Sequence, residues 1–146
     1  MAAGDITVFE EAKAYMLDGG WATTDTIKLA LITVATVPTA ADATPALGDY
    51  TQVSAGGNYA AGGESLDTWA NMVTEAAGTM TFDDTGASVT WSQHASNPTN
   101  ARYGIIYNDT SATDQAIAFL DLGATIDMTA GDLTVTWNAS GIFTIT

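Results

Sequence analysis

The segment Ala101–Gly123, ARYGIIYNDTSATDQAIAFLDLG, constrains the fold more than any other stretch of the chain. Ala101–Tyr107 is aromatic and β-branched, and Ala116–Leu122 is nearly continuous apolar sequence. Between them Asn108–Gln115 is dominated by Asn, Asp, Ser and Thr. Branched and aromatic side chains suit a pleated surface, while short polar side chains bond to their own backbone and make turns. The segment therefore reads as two strands joined by a polar turn, with the flanking chain built to pair with it.

Elsewhere the same signals recur. Thr26–Val34, TIKLALITV, is apolar on both faces, which predicts a central strand with the helix on one side. Gly78–Phe82 and Ser88–Trp91 read as strands around an Asp83–Gly86 turn. In Asp132–Asn138, Leu133, Val135 and Trp137 alternate with Thr134, Thr136 and Asn138, so the first set points inward. Ile142–Thr146 reads as a last strand that pairs back, and Tyr50–Ser54 as a short edge strand. Ser65–Glu75 fits either a helical turn on Leu66, Trp69 and Ala70 or a strand through Trp69–Thr74. One helix is predicted, Phe9–Asp18, with Phe9, Ala12, Tyr15 or Met16, and Leu17 on its stripe. Glu10 and Glu11 complement its dipole and Gly19-Gly20 ends it. About seven to nine short strands at roughly 8–12-residue spacing predict a mainly β protein, an antiparallel β-sandwich with one short N-terminal α-helix. A single curved sheet carrying the helix on one face is the alternative.

The 146 residues read as one domain, with a flexible arm at about Met1–Val8 and a long Pro38–Asp49 loop of the kind that is functional or mobile. Met1–Thr7 has neither a charged nor an apolar signal-peptide region, and no apolar run has the ~20 residues that cross a bilayer.

Charge narrows the partners. Seventeen carboxylates face three cations, Lys13, Lys28 and Arg102, for a net charge of -14. Such a chain repels nucleic acid and anionic membranes. Without cysteine there are no disulfides and no thiolate chemistry.

Chemical motifs are sparse, and no cofactor, metal site or enzyme activity is expected. His94 is the sole histidine and reads as a solvated loop residue; without cysteine it cannot supply a zinc site alone, and its being the only one rules out a Ser-His-Asp triad elsewhere. Asp83-Asp84 and Asp109/Asp114 lack calcium-loop spacing and fit Asx turns. AGGNYAAGG, Ala55–Gly63, has no Lys and no GxGxxG, so a sharp turn or close backbone approach explains it better than a phosphate cradle. Trp91 and Trp137 read as core, while Trp21 and Trp69 flank turns. Arg102 reads as an internal clamp to a carboxylate on the adjacent strand, or as a cross-subunit salt bridge.

The ordered set FEEAKAYMLDGG, TIKLALIT, NYAAGGESL, FDDTG…VTW, ARYGIIYNDT, AIAFLDLG and LTVTWNASGIFTIT resembles a family of small virion proteins from tailed bacteriophages, across nearly the whole chain. The resemblance implies a capsid decoration (cement) protein: a homotrimer on the outer surface of the virion head, made in the host cytoplasm and bound to the major capsid protein. The interface residues proposed on this reading are Thr7, Trp21, Pro38, Asp42, Pro45, Tyr59 and Arg102. The competing reading is a tail or head-fibre component that binds a host surface glycan through exposed aromatics.

Overall fold

The computed structural model describes residues 6–86 and 88–145. The expected hairpin is its centre. Strands β7 (Ala101–Asn108) and β8 (Ala116–Ile126) pair antiparallel, with Ile105 opposite Phe119 and Gly104 opposite Leu120. β2 (Thr26–Ile32) lies on the other side of β7, with Leu29 opposite Ile106. Short strands finish both edges: β1 (Ile6–Val8) against β8 and β3 (Glu64–Thr68) against β2, giving the order β1-β8-β7-β2-β3. All five strands run antiparallel to their neighbours. Ile27, Leu29, Leu31, Ile105, Ile106 and Leu120 are fully buried, as a strand covered on both faces requires.

Two smaller antiparallel sheets complete the sandwich. β4 (Val73–Ala76) and β5 (Thr79–Phe82) form a hairpin, and β10 (Phe143–Ile145) adds to β5. β6 (Ser88–Trp91) pairs with β9 (Leu133–Thr136). One hydrophobic core joins the three sheets, from Phe9 and Ala12 through Leu29 and Ile105 to Phe82, Trp91 and Val135. Leu133, Val135 and Trp137 point inward as the alternation predicts.

The helix α1 (Glu10–Asp18) begins where predicted, with both glutamates in its first turn. It stops at Gly19, whose φ of 65° is the left-handed cap. Phe9 anchors it, its ring tilted against Phe119 at 5.1 Å while its amide donates to the Ile117 carbonyl at 3.0 Å. Leu17 departs from the expected stripe: it is 88% exposed.

Other expectations shift where tertiary contacts override local pattern. In Ser65–Glu75 the helical turn is the one observed at Trp69, as α2 (Trp69–Met72) between β3 and β4, so the strand expected over Trp69–Thr74 begins only at Val73. Tyr50–Ser54 makes only an isolated bridge, Gln52 to Ile32, instead of a strand. β2 stops at Ile32, leaving Val34 out of the strand and exposed. Ile6–Val8 is a strand, in place of the arm expected there, and Met1–Asp5 lies outside the described residues. The Pro38–Asp49 loop is tied down along its length. Asp42 accepts from the Thr39 amide at 3.1 Å, Leu47 donates to the Asp114 carbonyl at 3.0 Å, and Ala116 donates to the Pro45 carbonyl at 2.9 Å.

The Ala55–Gly63 turn does approach its neighbour closely. Gly63 has a φ of 78°, and a Cβ there would stand 2.7 Å from the Ala30 Cα and overlap the Leu29 carbonyl. Only glycine lets this backbone lie against β2.

Candidate functional site

Of the seven residues proposed as an interface, four are interior. Trp21 is buried, its indole N–H donating to Gln115 Oε1 at 2.7 Å and its ring meeting Trp69 edge-on at 4.8 Å. Pro38 and Pro45 are buried beneath the long loop. Tyr59 is buried with its hydroxyl on the backbone of β2. Trp21 and Tyr59 belong to the core of their own chain, and all four side chains are buried within it.

The other three are partly accessible. Thr7 lies on β1 opposite Phe119. Asp42 sits under Tyr50, whose hydroxyl donates to it at 2.8 Å. Burial opposes ionisation of Asp42, but the bonds from the Thr39 side chain and amide and from Tyr50 outweigh it, and its carboxyl titrates below the usual range. The Tyr50 phenol moves the other way, pushed well above its ordinary 10.0 by burial and then by Asp42. Arg102 is clamped by both carboxylate oxygens of Asp121 on the adjacent strand, the second at 3.1 Å, with its guanidinium 4.6 Å from the centre of the Tyr103 ring. The internal-clamp reading is therefore the one observed.

The remaining polar motifs have local partners. His94 is exposed, its Nδ1 accepting from the Ser96 amide at 3.1 Å. Asp84 accepts from the Trp137 indole at 3.2 Å, and Asp109 pairs with Lys28 at 2.8 Å. Among the described residues no three His, Asp or Glu side chains gather as a metal site would. Trp91 and Trp137 are core residues, and Trp69 is half-buried between Trp21 and Phe82.

What the sequence reading missed is an apolar groove of about 450 Å³ where the last turn of α1 overhangs the β4–β5–β10 sheet. Met16, Leu17, Met80 and Ile145 line it, with Lys13 and Glu75 among its polar groups. Two methionines give it an adaptable wall, because the unbranched thioether refits to different shapes. A signal was present. Met16 and Leu17 are adjacent and so stand about 100° apart on a helix, too far for both to face the core that Phe9 and Ala12 enter. Leu17 stands exposed at the edge of this apolar surface, as Val34 and Val37 stand exposed elsewhere.

A second depression is polar. It measures about 570 Å³ and lies between β3 and β6, with Glu64, Ser65, Thr90, Trp91 and Asp84 among its walls. Trp91 is only 2% exposed there, so the depression offers no aromatic platform.

No family model matches the chain, and neither a curated protein nor a solved structure matches it.

Proposed function

We propose that this chain is a structural protein of a tailed-bacteriophage virion, a capsid decoration protein that docks as a homotrimer on the outside of the head and binds the major capsid protein. The observation that carries the docking part is Leu17, 88% exposed beside Met16, Met80 and Ile145 on a β scaffold whose own core is complete without it. Covering one leucine contributes about 1.5–3 kcal/mol. Repeated over several subunits on one shell, so modest a contact becomes firm attachment through effective concentration. Lys13 and Glu75 at the groove supply polar registration. The virion assignment itself rests on the resemblance of the sequence blocks.

The competing reading, a tail or head-fibre component that binds a host glycan, needs aromatic rings open to a sugar face. Trp21, Trp91 and Trp137 are each below 10% exposed and Trp69 is half-buried between Trp21 and Phe82, which weighs against it.

The test is the mass of the purified protein by light scattering, followed by mixing with expanded empty heads. The expected result is a trimer, or a monomer that trimerises on the heads, binding in large saturable numbers. Leu17→Asp lowers that binding at least tenfold while the melting temperature stays within a degree or so, because the residue packs little in the free chain. A monomer that ignores the heads overturns the proposal, and glycan capture by that monomer establishes the competing reading.

A further inference from the structure

The polar depression is walled by two strand edges. β3 is the last strand of its sheet and pairs only with β2; β6 pairs only with β9. In an antiparallel ladder every second residue turns its N–H and C=O away from its partner, so each strand presents a row of free groups on its other side. Here the two rows border one cleft, Glu64–Leu66 on one wall and Ser88–Trp91 on the other. Side-chain bonds tie together chain that flanks the two walls. The Thr85 hydroxyl donates to Asp67 at 3.0 Å, and the Asn58 amide donates to the Ser92 carbonyl at 3.1 Å. β1, β4, β9 and β10 are also edge strands, but each offers a single row.

We propose that this cleft is a strand-acceptor site, taking an extended segment of a protein partner that carries lysine or arginine. A strand laid between β3 and β6 bonds on both sides and joins the five-stranded and two-stranded sheets into one. Four to five residues, about 15 Å of extended chain, match the lengths of β6 and β3. Main-chain bonds give such additions their affinity and side chains their selectivity. Charge selects the cationic segment: Glu64 and Asp84 line the cleft, no cation does, and the whole chain carries -14. This inference is independent of the virion reading, because it names the chemistry of the segment and not the protein that supplies it.

The probe is a capped ten-residue peptide of alternating threonine and valine with two lysines, titrated against the full chain and followed by amide hydrogen exchange. The expected result is binding that weakens with salt, with exchange slowed at alternate amides of Glu64–Leu66 and Ser88–Trp91 and unchanged along β1 and β4. A peptide with glutamate for lysine, or with a central proline, binds at least tenfold more weakly. So does the lysine peptide to Glu64→Lys, a substitution at an exposed position that leaves melting unchanged. Equal binding of the proline peptide, protection confined to β1 or β4, or no binding at millimolar peptide overturns the inference. A protein that fails to bind heads but passes this test leaves the cleft assignment standing.

Discussion

The Tyr59 hydroxyl accepts a hydrogen bond from the Leu31 amide at 2.8 Å, inside the core, from a residue 28 positions away. It does the work of a missing strand. β3 pairs with β2 only as far as Leu29, and beyond that point the Tyr59 hydroxyl and the Val53 amide bond to Leu31 in its place. Tyr59→Phe keeps the ring against Trp91 and strands the Leu31 amide. An unpaired buried donor costs about 1–3 kcal/mol. Denaturant unfolding reads this as a lower midpoint at an unchanged slope; an unchanged midpoint contradicts the bond.

Gly63 and Gly19 separate two reasons for glycine. Both have positive φ, but a Cβ on Gly19 meets nothing within 4 Å, whereas one on Gly63 runs into β2. Gly19→Ala should cost about 1–2 kcal/mol, the price of the left-handed conformation alone. Gly63→Ala should cost clearly more, because backbone must move as well. Melting curves of the two variants side by side check the order, and equal losses refute it.

For Arg102 the expected effect is local. Asp121 is about half exposed, so the pair is partly screened, and Arg102→Gln should lower stability by about 1 kcal/mol while leaving the oligomeric mass unchanged. A change in mass without a change in melting would restore the cross-subunit bridge.

The Asp42–Tyr50 bond makes stability fall at both ends of the pH scale. Asp42 titrates lower in the folded chain than its ordinary 3.8, so its contribution is present above that value and lost as the pH falls through the folded one. Tyr50 titrates above 10.0, so its contribution is full below pH 10 and lost as the pH rises beyond it. Tyr107, raised chiefly by burial and then by Asp109, adds to the alkaline loss. Asp42→Asn should flatten part of the acid limb of a plot of melting temperature against pH, and Tyr50→Phe part of the alkaline limb. Parallel limbs in variant and parent would show that the bond is not made in solution.

The parts of the fold that were legible are those written in short range. β7, β8, β2 and β9 announce themselves by branched residues and alternation, and α1 by its acidic start and its glycine stop. Sheet membership was not legible. β5 and β6 are neighbours across Asp83–Gly86, yet β5 pairs with β4 and β10 and β6 with β9, a choice decided by distant partners. Tyr59 sits in a glycine-rich, polar-looking turn, and nothing nearby tells that its ring goes inward. Interface residues chosen for standing in loops were mostly interior, because a proline or tryptophan in a loop often closes the core beneath it. The exposed groove drew on α1 and on two strands far from it in sequence, so only assembled structure brings Met16, Met80 and Ile145 together.

The pairing of β1 with β8 and of β5 with β10 also governs time. Ile6 must wait for Leu120, and Met80 for Ile145, before either ladder closes. Closing such wide loops consumes chain entropy before any contact offsets it, which puts β-sandwich folding in milliseconds to seconds. During synthesis the β4–β5 hairpin emerges long before its third strand does. In that interval its open edge, next to the methionine-lined groove, is the surface most exposed to a wrong neighbour.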